Sequence, residues 1–408
     1  MKEDEVNLPP YTVDKTVSSM SQVIDWGLEQ MNVPAAWKES KGEGIKIAVL
    51  DTGHPLHPDT DLNCKPGFNA FNGSDDIFDQ NGHQTHCTGI ICGLDNNQGM
   101  VGVAPKSKCI SVKVLSDSGS GSWQSVAAGL DHCISTKPDI VSMSLGGSSP
   151  SPLLESRIKT LYDLNIPVVC AAGNSGYGGV NWPAAYDETI AIAAFDKNGK
   201  VASFSSRGEA VEWAAPGVNI YSTYLRNTYA SLSGTSMACP FMVGVIALML
   251  SKHKKQEQET GKNDCKTVEE IREHLKKYTM DKGRLGRDNS WGYGVIDLDS
   301  MFGRSSTSSD SKSSESSKSS GSSESSKSSG SSKSSISSKS SKSEEHEEHD
   351  DKAPIGLLPW GFLGLFIGIA VIMFIISKCT EDDIDIPEPP EYDSNSFWDD
   401  KFKKETQE

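Results

Sequence analysis

Five short apolar runs set the tightest limit on what this chain can fold into: IKIAVLD from Ile45, KCISVKVL from Lys108, DIVSMSL from Asp139, IPVVCAA from Ile166 and TIAIAAF from Thr189. Each is strand-length and nearly continuous in its apolar character, the pattern of a strand covered on both faces. Between them lie amphipathic stretches such as SWQSVAAGLDHCIST and PLLESRIKTLYDLN, whose apolar residues recur at helical spacing. Strand–helix–strand repetition predicts an α/β fold, a parallel sheet with helices on both faces, over residues 21–302.

That domain leaves about a third of the 408 residues over. Only 36% of the chain is apolar, and the region from Arg304 to Ser343, which repeats Ser-Ser-X with Lys, Glu or Gly at X, lacks the apolar residues needed to offset ordering entropy. Residues 303–354 read as a disordered Ser-rich and acidic stalk. Ile355 to Ile376 carries no charge, and about 22 helical residues rise roughly 33 Å, enough to cross a hydrocarbon core of about 30 Å. The reading is a single transmembrane helix over 355–376 and an acidic tail over 377–408, whose Pro389-Pro390-Glu391-Tyr392 is a ligand pattern for WW domains. Lys352 and Lys378 flank the span evenly, so charge does not orient it; the serine-rich stalk places the folded domain on the extracellular or lumenal side, with a cytosolic tail. The opening MKEDEVNLPP has no apolar signal core, and residues 1–20 read as an N-terminal remnant or linker.

Net charge is −16, which excludes nucleic-acid binding through a basic surface. The nine cysteines are an odd number too sparse for a disulfide scaffold, and no Cys/His spacing resembles a zinc motif.

Three segments carry chemistry. Ile47-Ala48-Val49-Leu50-Asp51 ends a strand in a carboxylate at the edge of a parallel sheet where ligands sit. Asn81-Gly82-His83-Gln84-Thr85-His86 supplies an imidazole, and Ser233-Gly234-Thr235-Ser236-Met237-Ala238 puts a serine at the start of an apolar helix, whose positive end favours a developing anion. A serine hydroxyl attacks only when a neighbouring base takes its proton, and that base must be an oriented, neutral imidazole.

With Asp, His and Ser in this order and these contexts, residues 22–302 closely resemble the subtilisin-like serine endopeptidases. The resemblance implies Ser236 as nucleophile, His83 as general base and acid, Asp51 as the group orienting the imidazole, and Asn174 in Ala172-Gly173-Asn174-Ser175 as oxyanion donor beside the Ser236 N–H. It implies substrate binding by strand addition between Gly119-Ser120-Gly121 and Ser144-Leu145-Gly146, with Ala172, Gly173 and Asn181 lining the primary pocket. It also implies a structural Ca²⁺ held by side chains of Gln22, Asp59 and Asn96 and carbonyls of Leu94, Gln98 and Met100. Substrates would be proteins or peptides.

Some residues depart from the family pattern. Gln84 stands where a glycine is usual, an expected source of crowding beside the histidine; Thr88 and Phe241 are packing changes. Cys87 and Cys239 lie near the histidine and the serine, and are expected to be buried and inert. Only about twenty residues precede Gln22, too few for an inhibitory domain that folds alone, so the expectation is a processed form or a different mode of activation. The alternative to an active enzyme is a catalytically silent relative that binds peptides.

Overall fold

A computed structural model describes residues 5–17 and 21–303 of the chain. The stalk, the span at 355–376 and the tail motif at 389–392 lie outside the described residues. In chain order the main elements begin with β1 (Glu5–Asn7), β2 (Thr12–Val17), two short helices α1 (Trp26–Gln30) and α2 (Val33–Ala36), and β3 (Lys46–Asp51). They continue with β4 (Cys64–Asn69), α3 (His83–Cys92), β5 (Lys108–Lys113), β6 (Ser120–Ser122), α4 (Trp123–Thr136), β7 (Ile140–Met143), α5 (Pro152–Asp163) and β8 (Val168–Ala171). Last come β9 (Thr189–Phe195), β10 (Val211–Pro216), β11 (Ile220–Tyr224), β12 (Thr228–Ser233), α6 (Thr235–Thr260) and α7 (Val268–Lys277).

Seven strands form one parallel sheet in the order β10-β9-β8-β7-β3-β5-β4. The five apolar runs supply its five inner strands. Residues alternate between the two faces along a strand, and β3 shows it: Ile47 and Val49 pack with α3 and α6 on one side, Ala48 and Leu50 with α4 and α5 on the other. Both faces are covered, as the continuous apolar character requires. The two edge strands were not among the five runs. Edge strands tolerate what inner ones do not: β4 carries Pro66 and Gly67 and is exposed through its middle, and β10 carries Glu212, paired to Arg272 at 2.8 Å.

The sheet positions the chemistry because parallel strands end on the same side. β3 delivers Asp51, β7 leads into Ser144 and β8 into Ala172-Gly173-Asn174 at one edge. α6 passes through the core, with all residues from Thr235 to Ser251 buried. Among the described residues it alone is long and apolar enough to cross a membrane, and its burial makes it a core helix. Eight cysteines lie in the described residues; all are free and buried.

Candidate functional site

Asp51 closes β3 and His83 opens α3, and the two meet with Nδ1 2.9 Å from both carboxylate oxygens. The carboxylate also accepts from the Thr52 N–H at 2.7 Å. A ring nitrogen facing a carboxylate carries the proton, so Nε2 is left as the basic nitrogen. Asp79 builds the turn that presents the histidine: its oxygens accept from the N–H groups of Asn81, Gly82 and Thr85 and from the hydroxyls of Thr52 and Thr85, at 2.6–3.0 Å. The motif reading did not single out Asp79, although an Asp two residues before Asn-Gly is an ordinary turn signal.

Ser236 sits in the first turn of α6, where backbone N–H groups have no helical partner. Four residues on, Pro240 has no N–H to return to the Ser236 carbonyl. That carbonyl instead accepts from the Ser144 hydroxyl at 3.0 Å and the Cys87 thiol at 3.4 Å. The Ser236 backbone is thereby tied to the residue that follows β7 and to α3. Asn174 is fixed from the same helix: its Oδ1 accepts from Thr235 N–H at 2.9 Å and Thr235 Oγ1 at 2.8 Å, which aims Nδ2 outward. Thr235 Oγ1 also accepts from Gly173 N–H at 3.1 Å.

Gly119, Ser120 and Gly121 form one wall of a groove and Ser144, Leu145 and Gly146 the other. Asn181 packs against both Gly173 and Gly146: a Cβ placed on Gly173 would lie 2.8 Å from Asn181 Cγ, one on Gly146 3.1 Å from Asn181 Cβ. Gly173 also has φ +106°, a conformation that other residues rarely adopt. Asn181 N–H donates to Ala172 O at 2.9 Å, so Ala172, Gly173 and Asn181 come together in space.

The groove is filled by the chain itself. β1 pairs antiparallel with β6, Val6 opposite Gly121 and Asn7 opposite Ser120. On the other side Asn7 exchanges both backbone hydrogen bonds with Gly146 at 3.0 Å, and Leu8 N–H donates to Gly119 O at 3.0 Å. Val6 is fully buried in the cluster containing Leu115, Trp123 and Leu145. The Pro10 carbonyl then accepts from Asn174 Nδ2 at 2.7 Å. The Tyr11 ring lies 5.0 Å from the His83 ring, its hydroxyl donating to Asn81 Oδ1. Beyond it, β2 pairs with β12. Residues 5–17, set apart in the sequence as a remnant or linker, thus form two strands of the domain, and Asp51, His83 and Ser236 have no exposed surface beneath them. No hydrogen bond among the described residues joins Ser236 to His83. Ser236 Oγ instead faces Ser144 O at 3.5 Å, and His83 Nε2 is buried without a partner.

The expected crowding by Gln84 is not what the side chain does. It turns inward, fully buried, and accepts from Gly53 N–H at 2.8 Å, bracing the turn after Asp51. Cys87 and Cys239 are fully buried, and burial pushes both thiols up, Cys239 to about 12; at neutral pH both are protonated and unreactive.

Gln22, Asp59 and the 94–100 loop come together on another part of the domain. Asp59 accepts from Asn96 Nδ2 at 2.9 Å, Met100 N–H at 3.0 Å and the Tyr229 hydroxyl at 2.8 Å. Gln22 bridges Leu94 O and Asn97 N–H at 3.0 and 3.1 Å, and Asn96 Oδ1 accepts from Gln98 N–H at 2.9 Å. One carboxylate, two amides and the carbonyls of the 94–100 loop are hard oxygen donors, a set that fits Ca²⁺.

Comparisons with known proteins identify the family. The sequence pattern of the Subtilase family matches residues 42–294. M-protease of Shouchella clausii (strain KSM-K16) is 41% identical over 288 residues, 70% of this chain and 72% of the relative. Subtilisin Savinase of Lederbergia lenta is 40% identical over 281 residues, 69% of this chain and 99% of the relative. Intracellular serine protease of Paenibacillus polymyxa is 38% identical over 257 residues, 60% and 78% of the two chains. The α/β sheet, the residues gathered at its carboxyl edge and these matches together make the chain a member of the subtilase family and a serine-type endopeptidase.

Proposed function

We propose that the chain cleaves protein substrates through Asp51, His83 and Ser236 and that residues 5–11 hold it in a latent state. One observation carries both statements: a peptide already lies extended in the groove, with the Pro10 carbonyl on Asn174 Nδ2. In the reaction Ser236 Oγ attacks the substrate carbonyl carbon and passes its proton to His83 Nε2, while Asp51 steadies the imidazolium. The oxyanion takes hydrogen bonds from Asn174 Nδ2 and the Ser236 N–H. His83 returns the proton to the leaving amine, and water then releases the acyl group by the same steps in reverse order of roles.

The prolines explain why the occupant is held uncut. Leu8 makes the last strand-type bond to Gly119, and the next residue, Pro9, has no N–H to offer the Ser144 carbonyl. That carbonyl faces the Ser236 hydroxyl instead, which turns the nucleophile away from His83 Nε2. A substrate with an N–H at that position takes the Ser144 carbonyl and frees the hydroxyl for its base. The form lacking residues 1–17 should digest casein, and the same form with Ser236→Ala should not. Equal digestion by both would remove Ser236 from the chemistry, and binding of casein without cleavage by the truncated form would favour the silent, peptide-binding reading.

Ca²⁺ is proposed at Gln22, Asp59, Asn96 and the carbonyls of Leu94, Gln98 and Met100, where it would fix the 94–100 loop. Membrane tethering through 355–376, with the catalytic domain outside the cytosol and a WW-domain ligand at Pro389–Tyr392 inside, is also proposed. The free cysteines do not oppose that orientation, because burial shields them from oxidants. Protection of end tags from protease in sealed vesicles tests it: a catalytic domain reachable only from the cytosolic side reverses the assignment.

A further inference from the structure

Far from the groove, three metal-ligating side chains converge. His253 lies 17 residues along α6 from Ser236, about 25 Å at the helical rise. His274 is on α7, and Cys265 lies in the loop between the two helices. Their ligand atoms all lie within 4.8 Å of one another. The two imidazoles meet Nε2 to Nε2 at 3.5 Å with ring planes at 89°. Two nitrogens bound about 2.0–2.1 Å from a tetrahedral Zn²⁺ are about 3.3–3.4 Å apart, so the rings already stand at close to the ligand spacing. His253 and Cys265 are buried, at 6% and 4% exposure, and His253 Nδ1 has no partner. Two imidazole nitrogens at this spacing with a thiol sulfur within 4.8 Å are a donor set that one ion can bridge.

We propose that His253, Cys265 and His274 form a structural Zn²⁺ site that clips the end of the nucleophile-bearing helix to α7. Imidazole with thiolate is a donor set that suits Zn²⁺, unlike the oxygen ligands proposed for Ca²⁺. Binding uses the unprotonated nitrogens of the two histidines and the Cys265 thiolate, whose proton goes to solvent. A water, or the exposed carboxylate of the adjacent Asp264, completes the tetrahedron. The frame is ordered: Asn263 Oδ1 accepts from Cys265 N–H at 2.9 Å, and Thr267 and Glu270 form a reciprocal cap at the start of α7. The sequence alone hid the set, since eleven residues separate His253 from Cys265 and eight separate Cys265 from His274.

Co²⁺ is the probe, added to the reduced full chain. One equivalent should produce a thiolate-to-cobalt charge-transfer band and tetrahedral visible bands, and one equivalent of Zn²⁺ should bleach them. Cys265→Ser and His274→Gln should lose the charge-transfer band and the tetrahedral set respectively. Cys87→Ser should keep both, which separates this site from the Asp51–His83–Cys87 group near the nucleophile. Absence of the band in the parent, its retention in Cys265→Ser or its loss in Cys87→Ser would each overturn the proposal. X-ray absorption at the zinc edge of the parent protein gives the same decision without a variant: one sulfur at about 2.3 Å with nitrogens at about 2.0–2.1 Å supports the site, and a shell without sulfur refutes it.

Discussion

Val6→Ala should raise the activity of the full chain, although Val6 touches no reacting atom. Its side chain is fully buried among residues that include Leu115, Trp123 and Leu145, and it anchors β1 in the groove. The substitution removes about two methyl-sized groups, each worth about 0.8 kcal/mol when buried, or about 1.6 kcal/mol of the contact. A difference of 1.4 kcal/mol is tenfold, so the open population rises about 15-fold. While the latent form dominates, the initial rate on a short chromogenic peptide rises by the same factor. The form lacking residues 1–17 sets the ceiling, and it should be indifferent to the substitution because Val6 is absent from it. An unchanged rate for Val6→Ala, together with no gain on truncation, would show that the N-terminal segment does not govern access.

Asn174→Ala in the form lacking residues 1–17 should lower kcat by about 10² to 10³ with little change in KM, the order known for the same donor in subtilisin, because this bond is made to the oxyanion. Chelation should lower the melting temperature; at a hundredfold excess over Kd the ion contributes about 2.7 kcal/mol, and Asp59→Ala should abolish most of the response. Acid should destabilise the Ser236→Ala protein between pH 6.5 and 4. Burial lowers His54 to about 4 and His86 to about 3, so the unfolded chain takes up protons there that the folded one refuses, and stability falls with pH. Burial raises Asp25 to about 6, which acts in the opposite sense by one proton. From these three groups the loss is about 1.4 kcal/mol per pH unit, read from denaturation midpoints, and a flat profile would contradict it.

The sheet and the boundary positions of Asp51, His83 and Ser236 were legible because they depend on local signals. Inner strands such as Thr189–Phe195 are apolar throughout and announce burial on both faces, and Asp51, His83 and Ser236 each sit at an element boundary with its own motif. β4 and β10 were not, since an edge strand with Pro66 or Glu212 carries no continuous apolar run. The occupant of the groove was hidden for a different reason. Strand addition uses backbone hydrogen bonds, which every sequence can make, so residues 5–8 need only Val6 at the buried position to dock. Asp79 and the His253–Cys265–His274 group depend on how separate segments meet in space.

The central claim is that Ser236 is an activated nucleophile covered by the chain's own N-terminus. Labelling with a fluorophosphonate, followed by peptide mapping, tests it most directly, because the reagent reacts with a serine whose proton a base removes. The account predicts one adduct at Ser236, formed slowly in the full chain and rapidly once residues 1–17 are removed, and none in Ser236→Ala. No adduct in the folded truncated form, or an adduct that survives Ser236→Ala, would contradict it.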